Sequence, residues 1–579
     1  MDRSDRHPSA RRGGALGLAA IALVALAALP AGAQSADAPD LPPGVSPAAA
    51  EAARTAITAA TLEAPIRFLA DDLLEGRGPA ERGDRLTQLY LASVMGSMGL
   101  EPGGPDGSWF QPFGIVGIDA TMPDTWTFRK GGEEVVLDRS SEFIAASGVQ
   151  QPRAAIEDAE LVFAGYGISA PEYDWDDYEG ADLAGKVLLM LNNDPDWDPE
   201  LFEGERRLYY GRWTYKYESA ARQGAAGAIV VHTTPSAGYP WQVVQTSWTG
   251  EQFELPAGDE PRLQVAAWTT EAATKELMDL AGRSWDELVA AAKTREFRPV
   301  PLGVTTSITL ENEISQVETA NVAGLLRGGD PERADEVVVF TAHHDHLGIA
   351  PPGDDPDADR IYNGALDNAS GTAQVLAMAR AFTLLPEPPA RSLLFLFVGA
   401  EEQGLLGSEY YAAHPTFPPG KIAANLNFDG GNIWGATRDV TLIGLGKSEL
   451  DAVARAVAEA QGRTLLADQF PDKGFFYRSD QFNFAKIGVP ALYFDAGTDV
   501  VGRPEGWGRA QQEAWTERDY HQPSDELTDA WSFDGMVQDA RLGFYAGLLI
   551  ANQQPLPAWN PGDEFEAARK AAVAAVGGE

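Results

Sequence analysis

The C-terminal half of this chain is patterned as an α/β domain, with a mixed, mostly parallel sheet flanked by helices. Three observations predict it. Val337-Val338-Val339-Phe340-Thr341 is an unbroken apolar, β-branched run, the pattern of a strand buried on both faces. Beyond it, strand-like and helix-like stretches alternate. Third, His343, Asp367, the Glu401-Glu402 pair, Asp429 and His521 fall at the ends of apolar runs or in Gly/Asn/Ser-rich turns. An open α/β sheet presents side chains to a ligand at those places.

Taken in order, Ser370 to Leu385 reads as a helix and Leu393 to Val398 as the next strand. Gly404 to Ala413 is helical and Ala424 to Phe428 a third strand. Lys447 to Gln461 forms another helix, and Pro490 to Phe494 a further strand. The Gly/Trp/Arg-rich stretch from Asp495 to Asp519 is expected to be a long loop of the lid or binding type. Upstream, residues 34–50 are Ala/Pro-rich and read as a linker, although a helical pattern already begins at Pro47 and runs to about Met98. That pattern breaks at Glu75-Gly76-Arg77-Gly78-Pro79. Gly99 to Phe113 is turn-rich. A separate unit starts near Glu157 and ends near residue 300. It holds strand-like runs at Leu161–Gly167, Lys186–Leu191 and Ala228–His232, and a helix around Tyr215 to Gln223. The expected division is 51–156 and 315–555 for the α/β domain, 157–300 for an insertion, and 556–579 for a tail. His232, inside an apolar strand, is expected in the core.

The chain has 579 residues, a formal charge of −41 and no cysteine. A surface so acidic repels nucleic acid and anionic lipid, and suits a substrate with a positive end such as an α-amino group. Arg3, Arg6, Arg11 and Arg12 precede an apolar stretch from Ala15 to Leu29 and then Ala31-Gly32-Ala33, which reads as a secretory leader cleaved after Ala33. The expected location is therefore secreted or periplasmic, with no membrane attachment after cleavage. Without cysteine, any metal must be held by imidazole and carboxylate ligands, which suit zinc and also cobalt or manganese.

Six histidines remain after the leader, and three of them crowd into Thr341-Ala-His-His-Asp-His-Leu-Gly348. The period of two along a strand places His343 and Asp345 on one face and His344 on the other. His343 is read as a ligand, with Asp345 behind it fixing the imidazole tautomer. His344 and His346 are read as neighbours. Asp367-Asn368-Ala369-Ser370-Gly371 enters a helix with more capping candidates than one cap needs, so its carboxylate is free to bridge two ions. Adjacent Glu401 and Glu402 repel each other unless cations lie close; then one can ligate and the other accept a proton.

The set AHHD, DNASG, AEEQGLLGS, LNFD, RSDQFNFAKIGVPAL and DYHQPSDE resembles the co-catalytic zinc aminopeptidases and glutamate-carboxypeptidase-like enzymes, over most of residues 60–150 and 315–550. VFAGYGISAPEYDWDDYEGADLAGKVLLML is similar to the start of a protease-associated domain, β-rich and of α+β type. The resemblance implies a zinc-exopeptidase fold. It also implies two Zn2+ ions, one held by His343 and Asp429, the other by Glu402 and His521, with Asp367 bridging. Glu401 would be the general base, Asp345 the support for His343, and Tyr520 the group that polarises the carbonyl. A cis peptide between Asp367 and Asn368 is implied as well.

The function so implied is an aminopeptidase cleaving N-terminal residues from peptides. A carboxypeptidase or dipeptidase of the same fold is the alternative; it needs cations for the substrate carboxylate, and Arg478, Arg503, Arg509 and Arg518 are the candidates. A non-catalytic, receptor-like protein should have lost ligands or base, which this chain keeps. Gln481 sits at a position that varies among such enzymes and is expected to bear on specificity.

Overall fold

The computed structural model describes residues 39–42, 45–353 and 355–577; the expected leader lies outside them. The strands that carry the domain line up side by side. Ser392–Val398, Val337–His343, Ile422–Asn427 and Ala491–Asp495 run parallel, in that spatial order. The 27-residue strand Val300–Leu326 extends one side antiparallel to Ser392–Val398, and Asp439–Ile443 extends the other antiparallel to Ala491–Asp495, with Thr464–Ala467 parallel beyond it. The sheet is thus mixed and mostly parallel, as its apolar runs predict.

Alternation along those runs sorts the core into two layers. Val338, Phe340, Ala342, Leu393, Phe395 and Phe397 face the helices Ser370–Thr383 and Asp534–Asn552. Val337, Val339, Leu394, Leu396 and Val398 face Tyr411 and Phe484 on the other side. Each of these strand side chains is essentially unexposed, and burial of such a side chain contributes roughly 1.5–3 kcal/mol. The long helix can lie close because Gly547 faces a ring: a Cβ there would come within 2.3 Å of Phe340 Cζ. Among the described residues, no helix is long and apolar enough to cross a membrane.

The segment from 122 to 310 builds a second core around its own strands. Arg153–Phe163, Val187–Leu191, Gly227–His232 and Val265–Thr270 pair in parallel, and Phe143–Ser147 adds antiparallel to the last. Trp126, Phe128 and Phe143, which precede residue 157 in the chain, join this core. The first half of Val300–Leu326 pairs with Arg153–Phe163 and its second half with Ser392–Val398, so one strand runs through both sheets. His232 is buried with Nε2 3.1 Å from the Tyr239 carbonyl, a core histidine as expected.

Three stretches differ from the sequence reading. The helix Pro47–Arg54 starts where the helical pattern was expected, but it ends the linker at residue 46 rather than 50 and puts Ala50 and Ala53 in the core. The expected tail folds back: Trp559 and Phe565 enter the second core, and the helix Glu566–Gly577 buries Arg569. The expected 495–519 loop contains the helix Trp507–Arg518, of which only Gly508 is buried. A helix polar on nearly all sides leaves no 3.6-residue signal in the sequence.

The break at residues 75–79 is a structural joint. Arg77, 1% exposed and at φ 52°, donates to the carbonyls of His344 (2.9 Å), Leu69 (2.5 Å), Asn363 (2.6 Å) and Gly364 (3.0 Å). One guanidinium therefore ties the N-terminal helices to the two turns that follow Val337–His343. Burial brings its pKa down to about 10, against the pull of Asp345, Asp525, Asp367 and Glu402. Arg77→Ala is expected to lower stability by roughly 3–5 kcal/mol, since buried carbonyls would lose their donor. Urea unfolding measures it, and Arg77→Lys, lacking the planar fork, should recover only part.

Candidate metal centre

Three of the functional side chains stand at or just past strand ends, while Asp367 lies in the turn Ala365–Ala369 and His521 follows the helix Trp507–Arg518. His343 is the last residue of Val337–His343; Glu401 follows Ser392–Val398 after Gly399 and Ala400; Asp429 follows Ile422–Asn427. Ala400 adopts φ 57° and His521 φ 55°. The left-handed region costs a non-glycine residue roughly 1–2 kcal/mol, so the surrounding contacts hold these two in place.

Asp367 is the centre of the cluster. Its Oδ1 lies 3.1 Å from His343 Nε2 and its Oδ2 3.3 Å from His521 Nε2. His343 Nε2 is also 3.3 Å from Asp429 Oδ1, and His521 Nε2 is 3.0 Å from Glu402 Oε2. Two triads result, sharing one carboxylate: His343, Asp367 and Asp429; and His521, Asp367 and Glu402. Glu401 Oε2 stands 3.8 Å from His343 Nε2. Ligand atoms of His343, Asp367 and Glu402 lie within 4.8 Å of one another, as do those of His343, Glu401 and Asp429. A tetrahedral ion with bonds of ~2.0–2.1 Å spaces its ligand atoms roughly 3.3 Å apart, and the measured N···O separations match that edge. The donor set therefore fits metal ions of zinc's size and ligand preference.

The electrostatics show how much cation the cluster calls for. Burial opposes charge on both imidazoles, yet His521 is pushed up to about 10 and His343 well above the usual imidazole range by the carboxylates around them. Glu402 is also opposed by burial and by Asp367, but His521 and His346 hold it at about 2. Burial, with Glu402 and Asp429 nearby, drives Glu401 well above the ordinary carboxylate range. Glu401 is thus the carboxylate readiest to take a proton.

Supporting groups fix these side chains. Asp345 accepts from the backbone N–H groups of Glu401 (3.0 Å) and Glu402 (3.3 Å). Its carboxylate is 3.8 Å from His343 Nδ1, whose nearer contact is the Asp345 carbonyl at 3.3 Å. Asp345 therefore positions the glutamate pair more directly than the imidazole it was expected to orient. Asp525, pushed up to about 7 by burial, accepts from the N–H groups of Leu366 and Asp367 and holds that turn, which contains a cis peptide between Asp367 and Asn368. His344 Nε2 is 3.0 Å from Asp84 Oδ1, and His346 Nδ1 is 2.6 Å from Glu402 Oε1. His346 thus supports Glu402, a role the sequence could not assign because the strand ends at His343. Ser247 Oγ, from the helix Trp241–Ser247 of the inserted segment, lies 2.8 Å from His521 Nδ1.

The cluster opens into a cavity of about 170 Å³ bounded by Trp434, Phe475, Tyr493, Trp515 and Tyr520 as well as the carboxylates. The Tyr520 ring lies against His521, centroids 3.9 Å apart and planes tilted by 33°. Of the four arginines considered as carboxylate anchors, only Arg478 lines this cavity. Arg503 lies over Trp507, Arg509 pairs with Glu513, and Arg518 pairs with Asp519. Gln481, expected to bear on specificity, is instead fully buried between Asn427 and the Phe476 carbonyl. The Trp507–Arg518 helix supplies Gln512, Glu513, Trp515 and Thr516 to the cavity wall.

Residues 321–541, the stretch that carries every one of these site residues except Ser247 and Asp84, match the model of peptidase family M28. This stretch is similar to M28 peptidases. The chain is 28% identical over 229 residues to leupeptin-inactivating enzyme 1 of Streptomyces exfoliatus, covering 37% of this chain and 50% of that protein. It is 29% identical over 221 residues to aminopeptidase YwaD of Bacillus subtilis, covering 37% and 40%. The chain thus spans about half, or less, of the length of the curated relatives it matches. Among solved structures, an aminopeptidase from Aneurinibacillus sp. strain AM-1 shares the fold, with a TM-score of 0.51 at 20% identity over 88% of this chain and 97% of that one.

Ser247→Ala removes the partner of His521 Nδ1 without touching a ligand atom. Loss of such a partner weakens metal binding by 10–100-fold. The expected outcome is a fall of about tenfold in zinc affinity, measured by competition with a chromogenic chelator, and the same competition on His414→Ala, a surface histidine, should show no change.

Proposed function

We propose that the protein is an exported di-zinc aminopeptidase that removes N-terminal residues from peptides. The observation that carries this reading is Asp367, whose two carboxylate oxygens each face an imidazole Nε2, with Glu401 alongside. His343 and Asp429 would hold one zinc ion, His521 and Glu402 the other, and Asp367 would bridge them. Bound there, zinc acidifies a water and polarises a carbonyl.

The chain's own residues supply the remaining chemistry. Glu401, set by its N–H bond to Asp345, takes the water proton and returns it to the departing amine. The Tyr520 hydroxyl, beside the cluster, is placed to donate to the oxygen that gains charge. The carboxylates of Asp367, Glu401, Glu402, Asp429, Asp495 and Glu513 line the cavity and favour a substrate ammonium. The inserted segment, which we read as protease-associated-like, reaches the cavity through Gly238 and His521 through Ser247. The leader at residues 1–33 supports export, and the names of the relatives support the aminopeptidase reading. A carboxypeptidase or dipeptidase remains the second reading because Arg478 faces the cavity.

Leu-p-nitroanilide should be hydrolysed, its N-acetylated copy should not, and chelation followed by zinc should abolish and restore the rate. Faster cleavage of the blocked substrate would sink the aminopeptidase reading. Glu401→Gln should lower kcat by roughly 10²–10⁴-fold while bound zinc, counted by atomic emission, stays at the wild-type level.

A further inference from the structure

We propose that Asp495 is the specificity-determining residue of the metal cavity, and that it receives the cationic side chain of an N-terminal arginine or lysine. The proposal rests on the aminopeptidase reading and narrows its substrate class to peptides that begin with a basic residue.

Asp495 holds the next place along the edge of the sheet. Asn427 pairs with Tyr493 of the parallel strand Ala491–Asp495, so Asp429 and Asp495, each two residues further on, leave neighbouring strands side by side. Strand spacing sets their backbones roughly 5 Å apart. The Tyr493 hydroxyl donates to the Asp429 carbonyl at 3.3 Å and ties the two strand ends together. The helix Trp507–Arg518 roofs this spot. Gln512 Nε2 donates to the carbonyls of Ala496 and Gly497 at 3.4 Å each. Gly508 lets the helix touch the same turn, since a Cβ there would come within 2.3 Å of Thr498 O. Asp495 lines the cavity in company with Trp434, Phe470, Tyr493 and Trp515. Aromatic walls together with one carboxylate suit a long apolar stem that ends in a cation.

What Asp495 lacks is a counterion. Among the described residues it makes no ion pair, whereas Glu513 of the same cavity pairs with Arg509 at 3.0 Å. The Ala496 N–H, 2.7 Å from Oδ1, is the only donor its carboxylate has among those residues. Burial pushes the carboxyl up to about 7, and the charged groups that add to the push are Asp468, Asp539 and Asp429, all of them acids. The chain's own cations in the cavity are engaged elsewhere. Lys473 lies over Phe470 at 4.5 Å, and Arg478 over Tyr239 and Phe475 at 5.3 Å each. A partly buried carboxylate among other acids is unfavourable until a cation joins it. The α-ammonium that every aminopeptidase substrate carries is next to the cleaved carbonyl, and so belongs at the metal cluster. Asp495 stands one strand further out, an offset that the stem of arginine or lysine can span.

The test uses the zinc-loaded full chain. Hydrolysis of the p-nitroanilides of arginine and lysine is compared with those of citrulline and norleucine, which keep the α-ammonium and the stem but lose the side-chain charge. The charged member of each pair should be favoured by at least about tenfold in kcat/KM, the scale of a charge-assisted hydrogen bond. Asp495→Asn should collapse both ratios toward one, and Asp495→Glu should restore part of the difference, which separates loss of the charge from loss of folding. Equal rates for charged and uncharged members in the wild type overturn the proposal. So does an equal fall for all four substrates in Asp495→Asn, because Asp495 would then hold the α-ammonium they share. Calorimetric binding of argininamide is measured beside that of citrullinamide. Absence of turnover with an Asp495-dependent binding difference would overturn the peptidase reading and leave the pocket standing.

Discussion

A carboxylate shared between two imidazoles sets the terms for the rest of this structure. Asp367 lies between His343 and His521, and three further acids crowd within a few ångströms of the same imidazoles. So many like charges out of water are tolerated only beside cations. The imidazoles are the nearest of these in the chain, and the upward push on both shows the demand that metal ions would meet.

Holding that cluster takes contacts from distant stretches of sequence. Arg77 and Asp84, from the N-terminal helical segment, fix the turns around His344 and Gly364. Asp525 fixes the Asp367 turn from the C-terminal side, and Asp345 fixes the glutamates from within. The inserted segment adds Ser247 behind His521, Gly238 at the cavity edge and the Tyr239 ring under Arg478. Its strands share Val300–Leu326 with the main sheet, so Ser247 stands at a fixed place relative to the metal cluster.

The sequence by itself pointed to the parallel strands, to helices beginning near Ser370, Gly404 and Lys447, and to the side chains that meet in the two triads; the core helix Asp534–Asn552 was not among its elements. Continuous β-branched runs can only be buried on both faces, and metal-type residues at their ends share one sheet edge whatever the details of packing. Tertiary structure alone decided what surrounds them. The roles of Arg77, His346 and Ser247 depend on hydrogen bonds between segments tens to hundreds of residues apart, and periodicity carries no record of these. The helix in residues 507–518 was hidden for a related reason: its stability comes from the cavity edge it sits on, and its own sequence has no apolar face to announce it.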